Sequence, residues 1–121
     1  MFDNINKPKG LKRVYLATLN SLRAFNWLMK NEAAFRQELL LLIVVIPITF
    51  FLEITIKEQL ILIIATLFII FTEILNTAIE SVVDRVGLEI HPLSGLAKDL
   101  GSAAVFISLV IAACTWVAIL L

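Results

Sequence analysis

This chain of 121 residues has one cysteine and one histidine. A lone Cys114 excludes an intrachain disulfide, and its apolar surroundings in sequence predict inert packing. A lone His91 excludes a paired-histidine metal motif. The four glycines, at 10, 87, 95 and 101, form neither a Gly-x-x-x-x-Gly-Lys phosphate loop nor a glycine-rich kinase loop. Any nucleotide must therefore be held by other means. Residues 1 to 10 (MFDNINKPKG) lack an early apolar core and a small-residue cleavage site, so no cleavable leader is expected. Cations are scarce in the later part of the chain, where only Lys57, Arg85 and Lys98 follow Arg36. The basic residues carry no recognition motif, which argues against a nucleic-acid partner.

Apolar residues dominate what is present. They make up 60% of the chain, with a mean hydropathy of +0.98, against about 45–50% in a soluble domain. One apolar segment runs from Leu39 to near Ile56, broken by Pro47, Thr49, Glu53 and Thr55. A second runs from Leu60 to Phe71 with Thr66 as its polar exception, and a third from near Ser102 to Leu121. With its flanks each reaches the length of about 20 residues that crosses the hydrocarbon core. The pattern predicts a single all-α integral membrane domain over 1–121. A surface helix is expected at about 8–30, and helices containing the membrane spans at about 36–56, 60–86 and 95–121. Pro47 is placed to kink the first span. Residues 53 to 59 should form a tight turn, Gly87 should end the second long helix, and Ser94 should cap the third.

The cation skew sets an expected orientation. Lys7, Lys9, Lys12, Arg13, Arg23, Lys30 and Arg36 all precede the first span, which places the N-terminus in the cytoplasm. Three crossings then put the 53–59 turn and the C-terminus outside and the 85–99 loop inside. Between residues 9 and 30, Leu11, Val14, Tyr15, Thr18, Leu22, Phe25 and Met29 recur at spacings of three and four. This predicts an amphipathic helix on the membrane surface, either a plain anchor or a lid over a site at that depth. In the last segment Ala97, Gly101, Ala104, Ser108 and Ala112 form a small-residue ridge expected to serve close helix packing.

The polar residues that stand out follow the second apolar run. At about 100° per residue, Glu73, Asn76, Glu80 and Asp84 fall near 0°, −60°, −20° and +20° on one helix face. Carboxylates at membrane depth are costly and usually functional. One can accept a proton from a hydroxyl while others hold a divalent cation through oxygen. Lys98 supplies a point charge suited to phosphate, and Glu32 on another helix is a further candidate metal ligand. These are the components of phosphoryl transfer. Ion or proton transport and a structural polar network also use such residues, and composition leaves all three open. His91, before Pro92, reads as a solvated loop residue.

Three strings carry a resemblance: residues 31 to 38 (NEAAFRQE), 73 to 87 (EILNTAIESVVDRVG) and 93 to 105 (LSGLAKDLGSAAV). Together, in this order, they resemble the signature blocks of prokaryotic diacylglycerol kinases. The resemblance implies a homotrimer in the bacterial inner membrane, with active sites shared between subunits and a periplasmic C-terminus. It implies transfer of the γ-phosphate of ATP, as its Mg²⁺ complex, to diacylglycerol, giving phosphatidic acid. By position, Glu73 matches the general base, with Asn76 beside it, and Glu32 and Glu80 match the metal-binding carboxylates. Arg13, Asn20, Glu89, Ile90, His91, Lys98 and Asp99 fall at nucleotide positions. Arg13, Ser21, Gln37, Glu38, Glu73, Ser102 and Trp116 fall at positions toward the lipid. Three residues depart from the common pattern: Leu96 stands where arginine is usual, Asn20 where an aromatic is frequent, and Asn26 where a cation is usual. These departures bear on nucleotide affinity more than on reaction type. The related undecaprenol kinases share the Glu-x-x-Asn spacing and often a His-Pro-Leu loop, as at His91-Pro92-Leu93. The 31–38 string and Gly101-Ser-Ala-Ala favour the diacylglycerol enzyme.

Overall fold

In a computed structural model, residues 5–121 are described. Residues 1 to 4, part of the stretch expected to lack a leader, lie outside them. The described residues form four helices: α1 (Leu11–Asn31), α2 (Ala33–Phe51), α3 (Ile56–Val86) and α4 (Pro92–Leu120). Three of these, α2, α3 and α4, are long and apolar enough to cross a membrane, with mean hydropathies of 1.9, 2.2 and 2.5. The chain divides into two compact units, Met1–Arg36 and Gln37–Leu121.

In the first unit, α1 ends where Glu32 leaves helical geometry at φ −116° and ψ 108°. The Glu32 N–H still donates to the Leu28 carbonyl at 2.9 Å, closing the last turn. Phe25 and Phe35 stack with ring centroids 6.4 Å apart, and Leu28 and Phe35 are buried. Arg36 donates to the Met29 carbonyl at 2.9 Å. Leu11, Val14, Tyr15 and Leu22 of α1 are exposed.

In the second unit, the remainder of α2 continues as a helix through Pro47. Its connection to α3 occupies residues 52 to 55, shorter than the predicted turn. Thr55 and Glu58 form a reciprocal capping box: each side chain accepts from the other's backbone N–H, at 3.1 and 3.0 Å. Gln59 donates to Thr49 Oγ1 at 3.0 Å, tying the end of α2 to the start of α3.

Packing within this unit is concentrated between α3 and α4. Ala65, Ile69 and Ala112 form its apolar centre, and Thr72 donates to the fully buried Ser108 at 3.0 Å. Small residues allow this approach, since Gly101, Ser108 and Ala112 are the buried positions of α4. They are three of the five members of the predicted ridge. Elsewhere, large apolar side chains such as Phe50, Ile64, Phe71, Phe106 and Val110 are exposed on the single chain. On a membrane protein such surface faces acyl chains or other helices.

Two expectations about α4 need correction. The helix begins at Pro92, not near 95, and its cap is His91, not Ser94. His91 Nδ1 accepts from the Leu93 N–H at 3.1 Å, so the ring has a defined partner although the residue is exposed. Proline at the first helical position explains the early start. Its fixed φ suits the helix, and the N–H it lacks would have had no intrahelical partner.

Candidate active site

The polar stripe forms where α3 approaches the α3–α4 loop. The apolar period of α3 continues past Phe71 without a break, so the stripe inherits a fixed helical register. Glu73 and Asn76 are each 8% exposed and Glu80 is half-buried. Asn76 Nδ2 donates to Glu80 Oε1 at 3.3 Å, one turn along the helix. The Asn76 Oδ1 atom is buried without a hydrogen-bond partner. It lies over Gly101 of α4, where an added Cβ would collide with it, and the Asn76 Cα would be 3.7 Å from that Cβ. Glycine at 101 therefore permits the helix approach that holds the Asn76 amide against α4. Ser102, the next residue, is exposed.

Glu38, on the part of α2 that belongs to the same unit, lies within the electrostatic reach of Glu73. Its Oε2 is buried with no partner. Gln37 beside it is exposed. A carboxylate on a second helix thus shares the surroundings of the stripe.

Asp84 continues the stripe to the helix end, where it pairs with Lys98 of α4 at 2.9 Å. The sequence suggested Lys98 as a point charge for phosphate. In the structure its ammonium sits beside Asp84, with Glu80 also acting on it. Both members of the pair are half exposed, so the bond is worth little in stability. It holds a cation at the mouth of a pocket of about 260 Å³. Asp84, Glu89, Ile90, His91, Ser94 and Lys98 line that pocket. The Glu89 carboxylate folds over Gly87, where an added Cβ would come within 2.6 Å of it. Asp99 is exposed at the same end of α4.

The remaining candidates have separate settings. Trp116 lies about 21 Å along α4 from Ser102, far from the pocket lining. On α1, Arg13 is exposed, Ser21 donates to the Ala17 carbonyl at 2.9 Å, and Arg23 donates to Asn20 Oδ1. Glu32 occupies the extended break after α1.

One buried residue of the stripe had no place in the sequence reading. Thr77 falls at about +40°, at the edge of that face and between Glu73 and Glu80 only along the helix axis, and is 7% exposed with its hydroxyl unpartnered. Its angle was the available signal. A threonine in an apolar helix ordinarily reads as bonding its own backbone.

Among the described residues, no three His, Cys, Asp or Glu side chains converge into a metal cage. Magnesium does not need one, because it commonly takes one or two carboxylates together with substrate phosphates and water. Glu80, half-buried on α3, is a hard oxygen donor of that kind. Chemically, the arrangement combines a buried carboxylate, a cation and a pocket of mixed polar and apolar lining on one apolar helix pair.

The model of the prokaryotic diacylglycerol kinase family matches residues 19–120. A diacylglycerol kinase of Pseudomonas aeruginosa is 49% identical over 93% of this chain and 91% of its own length. One of Haemophilus influenzae is 46% identical over 94% and 97%. One of Escherichia coli K12 is 41% identical over 92% and 91%. The family match and these near full-length relatives together show that the chain belongs to the prokaryotic diacylglycerol kinase family.

Proposed function

We propose that this protein transfers the γ-phosphoryl group of ATP to the free hydroxyl of diacylglycerol, giving phosphatidic acid at the cytoplasmic face of the bacterial inner membrane. The observation that carries this reading is the juxtaposition at one end of α3 and α4. The Glu73–Asn76–Glu80 stripe, buried at Glu73 and Asn76, leads there along α3 to Asp84, the Lys98 cation and the pocket that Lys98 helps to line. A lipid hydroxyl reaches such a site from the membrane and a nucleotide reaches it from water.

In this mechanism Glu73 accepts the proton of the lipid hydroxyl as its oxygen attacks the γ-phosphorus. The amide of Asn76, bonded to Glu80 and backed by Gly101, orients that part of the stripe. Lys98 exchanges part of its bond with Asp84 for phosphate oxygens and offsets the charge developing there. Asp99 and the Glu89-Ile90-His91 loop contact the nucleotide, as do Arg13 and Asn20 of α1. Gln37, Glu38 and Ser21 lie toward the lipid portal, Ser102 near the glycerol, and Trp116 along an acyl chain. Mg²⁺, held through Glu32 and Glu80, would supply neutralisation of phosphate charge.

Three spans cannot wall off such a site alone, and the apolar faces exposed on the single chain support a homotrimer with shared active sites. The recurrence of apolar residues along α1, with Lys12, Arg13 and Arg23 at its polar side, supports an amphipathic helix on the cytoplasmic surface. The cation skew supports a cytoplasmic N-terminus and a periplasmic C-terminus.

The test is phosphate transfer from labelled ATP with Mg²⁺ in mixed micelles, offering dioleoylglycerol and undecaprenol in parallel. Labelled phosphatidic acid as the dominant product is expected. Preferential undecaprenyl phosphate, the outcome that His91-Pro92-Leu93 would favour, overturns the substrate and keeps the chemistry. Cation flux without transfer to either lipid, from assembled protein, overturns the kinase reading.

A further inference from the structure

Hydroxyl side chains in apolar helices normally return their hydrogen bond to a carbonyl three or four residues back, because no water is available. This protein follows the rule repeatedly. Thr66 donates to Leu62 at 3.1 Å, Thr72 to Ile69 at 2.9 Å, Ser81 to Thr77 at 2.9 Å and Thr115 to Ile111 at 2.6 Å. Thr77 departs from it. The residue is 7% exposed, yet its Oγ1 is buried without any partner. Leaving a buried hydroxyl unpaired is costly, and the usual backbone bond would avoid that cost.

Its position suggests what the hydroxyl is kept for. Thr77 lies about 6 Å beyond Glu73 along the axis of α3 and about 4.5 Å before Glu80. If Glu73 meets the lipid hydroxyl and Glu80 belongs to the phosphate side, the group in transit passes between them. That is the level of Thr77.

We propose that the Thr77 hydroxyl is a further catalytic residue, donating a hydrogen bond to an oxygen of the transferring phosphoryl group. The inference rests on the kinase reading above. In the step, the lipid oxygen forms its bond to the γ-phosphorus and its proton passes to Glu73. The bond from phosphorus to the bridging oxygen breaks with its electron pair leaving on ADP. Thr77 keeps its own proton and donates only a hydrogen bond. A fixed donor in a water-poor site acts most where negative charge develops, so its effect belongs to kcat and not to substrate affinity.

The experiment compares kcat and both KM values for wild type, Thr77→Val, Thr77→Ala and Thr77→Ser, with MgATP and dioleoylglycerol in mixed micelles. Thr77→Val preserves shape and removes the hydroxyl. It is expected to lower kcat about 10–100-fold, with both KM values within about threefold of wild type. Thr77→Ser should recover most of the loss. If Thr77→Val does not assemble, Thr77→Ala is read by the same criterion. Wild-type kcat without the hydroxyl, a loss confined to KM, or a loss that serine does not recover overturns the proposal. So does failure of both Val and Ala to assemble while Ser assembles, which would make the hydroxyl structural. Normal turnover in Glu73→Gln would instead overturn the assignment of Glu73 as the base, and no transfer to either dioleoylglycerol or undecaprenol by wild type would overturn the kinase reading itself. An inactive Glu73→Gln beside a fully active Thr77→Val would overturn this inference alone.

Discussion

Toward the α2–α3 turn, the polar side chains of α3 and α4 are satisfied. Thr66 bonds its own helix, Thr72 bonds both its helix and Ser108, and the apolar contact of Ala65, Ile69 and Ala112 surrounds them. Toward the α3–α4 loop the same helix pair leaves Asn76 Oδ1 and Thr77 Oγ1 buried without partners. A like chemistry of short polar side chains serves two ends. In the first region each group completes a bond within the fold, so it contributes packing and register. In the second, hydrogen-bonding capacity is held back at an energetic cost, as expected of a site that completes its bonds with reactants.

The difference can be tested by substitution, taking the largest expected effect first. Glu73→Gln keeps volume and removes the base, and should lower turnover about 10³–10⁴-fold while size-exclusion chromatography shows unchanged assembly. Lys98→Met frees Asp84 and removes the pocket cation, and should lower kcat about 100-fold, read in the same micelle assay. Gly101→Ala pushes a methyl group into the Asn76 amide, and should lower kcat about tenfold by turning that amide away from Glu80. Thr72→Val removes the bond to Ser108 in the satisfied region. It should cost about 0.6 kcal/mol of unfolding free energy in detergent and leave turnover near wild type. A large loss of turnover in Thr72→Val would erase the distinction between the two regions.

Much of this was legible in the sequence, for identifiable reasons. The register of α3 follows from helical periodicity, and that period continues unbroken from the apolar run into Glu73, Asn76 and Glu80. Gly87 was recognisable as the end of α3, and it is the C-cap. The start of α4 was misread because His91-Pro92 resembles a loop, whereas a histidine ring can cap a helix that opens on proline. The Asp84–Lys98 pair joins two helices across a loop, a contact that no single helical period encodes. Thr77 was hidden for a different reason. Its angle placed it at the edge of the stripe, but only the structure shows that its hydroxyl forgoes the backbone bond its neighbours make.

The loop-side half of α3 does chemistry, while the turn-side half only holds the helices together. The most direct measurement is the initial rate of phosphate transfer from labelled ATP to dioleoylglycerol, for wild type, Glu73→Gln and Thr72→Val at matched assembly. Labelled phosphatidic acid is expected from wild type and Thr72→Val at similar rates, and background from Glu73→Gln. Transfer by Glu73→Gln at the wild-type rate would contradict that division of α3.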